Sequence, residues 1–194
     1  MQLSTLQWWE ILAVVLALLY LLLAIRQNIW CWAAAAVSTT LYLFIMYEAK
    51  LYMESVLQLF YLAMAAYGWY QWRRGGINHT ELKVSTWPGK NHVIAIVAVF
   101  LLVFVSGELL SRYSSAALPF ADSFTTWGAV VATYMVARKI LENWIYWFVI
   151  DAVSVWLYLS RELYFTAVLF VVYLVMIVIG YRKWRASMLE ETAV

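Results

Sequence analysis

The 194-residue chain is 66% hydrophobic and only 12% charged. That charged fraction is about half the average for a soluble domain, so a polytopic membrane protein is expected. The net charge of +2 gives no case for nucleic acid binding, because the basic residues fall at the ends of apolar segments. The single cysteine, Cys31, excludes a disulfide framework and a cysteine metal cluster. No ATP-binding loop, H-E-x-x-H or G-x-S-x-G motif occurs, so we expect no enzyme activity, metal or cofactor.

Seven apolar segments are each long enough to cross about 30 Å of hydrocarbon. The first is expected to stay as a helix, because Met1 to Glu10 lacks the positive charge and cleavage pattern of a signal peptide. A polar linker with Gly75-Gly76 and Pro88-Gly89 covers 73–91. The predicted spans are 8–25, 28–47, 52–72, 92–111, 122–138, 141–159 and 163–181.

The basic residues predict the orientation. With the N-terminus outside, the inner loops and tail hold ten Lys and Arg residues, and the outer side holds three, Lys50, Arg112 and Arg161. This bias places the N-terminus in the periplasm and the C-terminus in the cytoplasm.

Predicted helices 2–3 resemble predicted helices 6–7. Val37-Ser38 matches Val153-Ser154, and Tyr61-Leu62-x-Met64-x-x-x-Gly68-x-x-x-Trp72-Arg73 matches Tyr173-Leu174-x-Met176-x-x-x-Gly180-x-x-x-Trp184-Arg185, with an intervening loop four residues shorter in the second copy. The pattern predicts parallel three-helix repeats joined by a linker helix, with the substrate site between them near the midplane. The resulting divisions are 1–74 (first bundle), 75–121 (cytoplasmic linker and helix 4), 122–185 (second bundle) and 186–194 (cytoplasmic tail).

Asp151 is the strongest candidate for a functional residue. A carboxylate near the centre of a span costs roughly 2.5–3.5 kcal/mol, so it is expected to face the protein interior and to have a partner. Trp144, Trp147, Ser154 and Tyr158 share its helical face. This stripe suits a flat, cationic organic ligand, and the alternative is a structural helix contact.

Other polar and aromatic residues within the spans are further candidates for the same site. On predicted helix 3, Gln58 either contacts ligand or bonds a neighbouring helix, and Glu54 lines the entrance or extends its carboxylate to the surface. Asn143 caps helix 6 or gates the inner side, and Glu142 is expected to pair with Arg138 or Lys139. The remaining candidates are Tyr61, Ser38, Tyr42 and Tyr134.

These motifs resemble the PnuC family of bacterial vitamin transporters. The resemblance covers nearly the whole chain and is carried by Arg138-Lys139-x-x-Glu142-Asn143-Trp144-x-x-Trp147, Gln58 with Tyr67-Gly68-Trp69-Tyr70, Asp122-Ser123, and Gly180-x-x-x-Trp184. It implies an all-α membrane fold of seven helices, arranged 3+1+3 like SWEET sugar transporters, and a homotrimer in the bacterial inner membrane. It also implies facilitated diffusion, with phosphorylation trapping the vitamin in the cytoplasm.

The substrate expected from this resemblance is thiamine. Nicotinamide riboside carriers tend to have Asn where this chain has Asp151, Ala65 and Ser38, so the PnuT (thiamine) branch is the better match. Nicotinamide riboside is also a flat cation and stays the alternative, and riboflavin is a third possibility. A metabolite channel and a non-transporting scaffold are the alternatives outside this class.

Overall fold

In the computed structural model, the described residues are 5–48, 52–114, 118–160, 162 and 164–192. Helices dominate them, and the only β pairing in these ranges is an isolated bridge between Ser85 and Ile140. The helices are α1 (Thr5–Ile25), α2 (Trp30–Glu48), α3 (Tyr52–Arg74), α4 (Gly89–Tyr113), α5 (Pro119–Ala137), α6 (Asn143–Ser160) and α7 (Tyr164–Thr192), with one 3-10 turn at Ile77–His79.

The seven predicted helices are confirmed. Their ends agree closely with the prediction, except that α7 continues to Thr192, well past the predicted end at 181. The prediction ended at the charged run that begins with Arg182, where apolar periodicity stops. The helix continues because Trp184 in this run is fully buried.

Three helical stretches are long and apolar enough to cross a bilayer by length and hydropathy alone. Among the described residues these are Trp30–Glu48, Gly89–Tyr113 and Thr166–Glu190. Helix α1 contributes a shorter apolar stretch, Ile11–Ile25. Apolar helices of this length are typical of a multi-pass membrane protein.

The chain forms two compact units, residues 1–83 and 84–194. In the first unit α2 packs against both α1 and α3. Trp32 of α2 lies 6.0 Å from the ring of Tyr20 and 5.5 Å from that of Trp72, at an interplanar angle of 85° in the second pair. Ser38 donates a 2.9 Å hydrogen bond to the carbonyl oxygen of Ala13. One indole therefore contacts both neighbours of α2.

In the second unit α6 takes the corresponding position, packing against α5 and α7. Trp144 of α6 lies 5.4 Å from the ring of Trp184 at 90°. Ile150 of α6 packs against Gly128 of α5. Helix α4 packs on the other side of α5, where the indole N–H of Trp127 donates to the hydroxyl of Ser106 at 3.1 Å.

The turn after α1 recurs after α5. In the first turn Gln27 adopts φ 54°, and the Asn28 N–H donates to the carbonyl of Leu23 at 2.9 Å. In the second turn Lys139 adopts φ 49°, and the Ile140 N–H donates to the carbonyl of Met135 at 2.9 Å. A left-handed residue with this 6→1 bond is a Schellman-type helix end. Both units therefore end their first repeated helix in the same way.

The difference in residue number between Gln27 and Lys139 is called the repeat interval below. The same difference relates the ends of the helices that follow. It carries Glu48, the end of α2, onto Ser160, the end of α6. It likewise carries Tyr52, the start of α3, onto Tyr164, the start of α7. The interhelical loops therefore have equal length, and the expected four-residue difference is wrong.

The error arose from matching Ser38 with Ser154. Ser38 faces α1, and the residue that faces α5 in the second unit is Ile150. Ser154 corresponds instead to Tyr42. Ser154 lies four residues, or about one helical turn, after Ile150, the true counterpart of Ser38. Residues four apart share a helix face. The sequence match therefore identified the correct face but the wrong position along the helix.

The linker before α4 is anchored at its C-terminal end. Val84 is buried, the Ser85 N–H donates to the carbonyl of Lys139 at 3.0 Å, and the Leu141 N–H donates to the carbonyl of Ser85 at 2.8 Å. The linker therefore holds the turn between α5 and α6.

We expect Gly68→Ala and Gly180→Ala each to destabilise the protein, by about 1–3 kcal/mol, the usual effect of overpacking. A Cβ at position 68 would clash with the Trp32 ring, and one at position 180 would lie 2.5 Å from Cη2 of Trp144. The measurement is the apparent melting temperature of the purified protein in detergent. Gly89→Ala is the control, because a Cβ there meets no atom within 4 Å. Equal melting temperatures for all three variants would contradict the packing argument.

Candidate functional site

Asp151 lies on the buried face of α6. Only 5% of its surface is exposed, and no hydrogen bond or ion pair joins it to the residues that the structure describes. Ser154, one turn further on, is equally buried, and its hydroxyl donates to the carbonyl of Ile150 at 2.9 Å. A buried carboxylate needs a partner. Asp151 is therefore a group on α6 that a ligand could satisfy.

Two aromatic rings flank Asp151 on the same face and stay partly accessible. Trp147 is half-buried one turn before it, and Tyr158 is half-buried two turns after it. The ring of Tyr158 lies 5.0 Å from that of Phe170 on α7. A flat cation placed by the carboxylate would have aromatic surface on both sides along the helix, which is an arrangement that favours cation–π contacts.

Trp144 has a different environment from Trp147. It is 2% exposed, with its ring against Gly180 and Trp184. Trp32 makes the same contacts with Gly68 and Trp72 in the first unit. The structure uses this indole to pack α6 on α7, and its expected contact with substrate stays a prediction.

Asn143 is fully buried in the turn that begins α6. Its Nδ2 donates to the carbonyl of Ile140 at 2.6 Å, while its Oδ1 has no partner within the described ranges. Of the two roles expected for Asn143, holding the turn is the one that this contact performs.

A cluster beside this turn was not foreseen. Glu142 accepts a 3.3 Å hydrogen bond from the Trp87 N–H, whereas a pairing with Arg138 or Lys139 was expected. The His92 ring lies 3.0 Å from the Tyr146 hydroxyl through Nδ1. No sequence pattern points to this cluster, since it joins residues that are far apart along the chain.

Tyr134, a predicted site residue at the end of α5, lies at the edge of this cluster. It is 41% exposed, and its ring lies 6.3 Å from that of Trp87. The structure therefore groups Tyr134 with the linker.

The remaining candidates belong to the first unit. Gln58 is half-buried and makes no hydrogen bond to the described part of the chain. Tyr61 is half-buried one turn along α3, with its ring 5.5 Å from that of Phe60. Tyr42 is half-buried on α2, and the Glu54 side chain lies outside the described residues. The Ser38 hydroxyl donates its hydrogen bond to the carbonyl oxygen of Ala13, so Ser38 links α2 to α1.

The chemistry available here is that of binding. Within the described ranges no three His, Cys, Asp or Glu residues come close enough to hold a metal ion. On α6, the Asp151 carboxylate and two partly accessible aromatic rings can recognise a small organic molecule through charge, hydrogen bonds and stacking.

Comparisons with known proteins identify the family. A family model described as nicotinamide mononucleotide transporter matches residues 7–186. The riboflavin/roseoflavin transporter RibM of Streptomyces davaonensis is 31% identical over 182 residues, covering 91% of this chain and 84% of RibM. The nicotinamide riboside transporter PnuC of Escherichia coli is 26% identical over 211 residues, covering 96% of this chain and 88% of its own length.

A solved structure shares the fold. The crystal structure of the vitamin B3 transporter PnuC aligns with a TM-score of 0.72 and 24% identity, covering 94% of this chain and 83% of that chain. The family model and RibM each match most of the sequence, and the seven helices match the fold of a solved transporter. The chain therefore belongs to the PnuC family of membrane vitamin transporters.

Proposed function

We propose that this protein carries nicotinamide riboside across the bacterial inner membrane by facilitated diffusion. The observation that carries this proposal is Asp151, a buried carboxylate without a partner in the described part of the chain and flanked on its helix by accessible aromatic rings. Nicotinamide riboside is a flat pyridinium cation with a ribose. Its charge suits Asp151, and its ring suits Trp147 on the same face of α6. The similarity to the nicotinamide riboside transporter of Escherichia coli supports the same substrate.

Thiamine, the vitamin expected from the sequence, has weaker support. That expectation used departures from the nicotinamide riboside carriers at Ser38, Ala65 and Asp151. Ser38 hydrogen-bonds α1, and Ala65 is 2% exposed within its own unit. Of the three differences from the nicotinamide riboside carriers, only Asp151 is left as a candidate ligand contact. A carboxylate suits both thiamine and nicotinamide riboside, because both are cations.

Riboflavin is the second candidate, favoured by the 31% identity with the riboflavin/roseoflavin transporter RibM. Its ring system is neutral, so Asp151 would accept a hydrogen bond from it. Charge therefore separates the two candidates: removing the carboxylate's charge should matter more for nicotinamide riboside than for riboflavin.

The architecture that goes with this function is a 3+1+3 arrangement. We assign α1–α3 and α5–α7 as parallel repeats, with α4 as the linker helix, as in SWEET transporters. The support is the turn and packing pattern that recurs at the repeat interval. The Lys and Arg distribution favours a periplasmic N-terminus and a cytoplasmic C-terminus. A homotrimer and trapping of the vitamin by phosphorylation complete the proposal.

Transport is expected to need no energy source, because the sequence has no nucleotide-binding motif and few intramembrane acids that could couple to an ion. Proteoliposomes loaded with unlabelled nicotinamide riboside should take up labelled nicotinamide riboside by exchange with no gradient imposed. Uptake should saturate with concentration, whereas a channel would give a linear dependence. Exchange that requires a proton or sodium gradient would contradict uniport.

Asp151→Asn should weaken nicotinamide riboside binding by about 1–3 kcal/mol, the scale of a charge-assisted hydrogen bond. Riboflavin binding should change less, because riboflavin carries no charge to lose a partner. The measurement is a calorimetric titration of purified wild type and variant with nicotinamide riboside, riboflavin and thiamine at one pH and salt concentration.

Glu108→Gln is the matched control for this substitution. It makes the same acid-to-amide change, but Glu108 is 40% exposed and pairs with Arg112 on its own helix. We expect its affinities to equal those of wild type. If Asp151→Asn also leaves nicotinamide riboside affinity unchanged, Asp151 is structural. If wild type binds riboflavin or thiamine in preference, the proposed substrate is wrong.

Trp147→Leu should lower substrate affinity by about 0.5–2 kcal/mol while leaving stability nearly unchanged, because Leu keeps apolar bulk but removes the indole face. Trp144→Leu should instead lower the apparent melting temperature about as much as Trp32→Leu, its counterpart in the first unit. Affinity and melting temperature are measured on all three variants. A loss of affinity in Trp144→Leu with no loss of stability would show that Trp144 contacts the substrate.

A further inference from the structure

A cleft of about 640 Å³ opens between α6 and α7, within the second unit. Its walls are mostly apolar, and they include two arginines, Arg182 and Arg185. Neither arginine pairs with an acidic side chain among the described residues. The apolar lining includes Ile145, Phe148, Ile177 and Val178 on one side of the arginines, and Ala186 and Leu189 beyond them along α7.

The position of the arginines along α7 shows which part of the cleft lies at the membrane interface. They follow directly after the apolar stretch of this helix, at the end where basic residues lie in the interfacial region. Ile177 precedes Arg182 by more than one turn, which is about 7 Å of helix rise toward the membrane centre. The cleft therefore runs from the level of lipid headgroups into the level of acyl chains.

In the first unit an indole packs against the residue that corresponds to Tyr181. Tyr181 lines the cleft, and its counterpart at the repeat interval is Trp69. Trp30 packs edge-on against Trp69, with ring centroids 5.4 Å apart at 80°. The counterpart of Trp30 is Glu142, whose carboxylate is directed to the Trp87 N–H. The second unit thus has a carboxylate in place of an indole at the position from which Trp30 contacts Trp69.

The lining residues also differ between the units. Ile145 and Phe148 correspond to Ala33 and Ala36, and Arg182 corresponds to Tyr70. The second unit therefore has larger apolar side chains than the first at these positions, and it has two arginines where the first unit has one. Apolar walls below paired guanidinium groups complement an amphiphile with an anionic head, because arginine binds phosphate oxygens bidentately.

We propose that this cleft binds an anionic phospholipid from the cytoplasmic leaflet. Arg182 and Arg185 hold the phosphate, and the α6–α7 walls hold the start of an acyl chain. Basic pockets between membrane helices on the cytoplasmic side are the usual form of such sites. A free phosphate would leave the apolar walls without a partner. The proposal does not depend on which vitamin is carried.

The test is native mass spectrometry of the detergent-purified protein titrated with phosphatidylglycerol or phosphatidylcholine. Arg182→Gln/Arg185→Gln should lower the apparent phosphatidylglycerol affinity roughly tenfold or more, since each basic residue near an anionic membrane contributes about fivefold. Phosphatidylcholine binding should change little. The matched control is Arg73→Gln/Arg74→Gln, which removes two charges at the equivalent end of α3 and should leave the phosphatidylglycerol affinity within about twofold.

A second variant separates the cleft from its charge. Glu142→Trp should cover Tyr181 as Trp30 covers Trp69, and so lower phosphatidylglycerol binding although it keeps both arginines. Removing the acid alone would favour an anionic lipid, and Glu142→Trp also removes the hydrogen bond from the Trp87 N–H. A loss of lipid in a variant that keeps the wild-type melting temperature therefore comes from filling the cleft.

Three results would overturn the proposal. Equal losses in both double-arginine variants would mean diffuse attraction to the membrane surface. Displacement of the lipid by millimolar inorganic phosphate would mean a site for a soluble anion. A changed oligomeric mass in Arg182→Gln/Arg185→Gln, with unchanged lipid per protomer, would make the cleft a contact between copies of the chain.

Discussion

The packing of an indole into the space left by a glycine holds each repeated half of this fold in register. Trp32 and Trp144 are almost fully buried, and each lies against a glycine and a second tryptophan on the following helix. Between membrane helices, where lipid is as apolar as the side chains, close packing supplies much of the driving force for association, and small residues allow it. The tryptophan ring fits only beside a residue without a Cβ, so the two helices can pack at one position along their axes. Sliding one helix by a turn would make the ring clash with a side chain.

The repeat interval distinguishes residues that pack the helices from residues that are candidates for ligand binding. The residues that set the geometry recur: the tryptophans, the glycines and the left-handed residue in the turn after α1 and α5. The candidate ligand residues do not. Asp151 corresponds to Thr39, Trp147 to Ala35, and Gln58 to Phe170. A packing contact that recurs has to be kept in both units, whereas a residue that binds ligand need not recur in the other unit.

Sequence alone placed all seven helices, because a membrane helix is set by one long apolar segment whose length is fixed by the bilayer. It was less reliable wherever two helices had to be compared. The Val-Ser match at Ser38 and Ser154 was one turn out of register, because periodicity identifies a helix face but not the position along it. Trp144 and Trp147 both lie on the face of Asp151, and only packing separates a buried indole from an accessible one. The contact between the linker and the α5–α6 turn is long-range and leaves no periodic signal.

The cost of Asp151 limits how strongly charge can select the substrate. An acid near the membrane centre costs roughly 2.5–3.5 kcal/mol on insertion scales. A bound cation can recover at most about that amount, which corresponds to a preference on the order of 100-fold over a neutral analogue. The remaining affinity has to come from rings and hydroxyl contacts, which a neutral flavin with its ribityl chain can also make. For the proposed transporter, discrimination between nicotinamide riboside and riboflavin therefore has two physical sources. One is the charge of a single side chain on α6, and the other is the size of the space that the aromatic residues leave open.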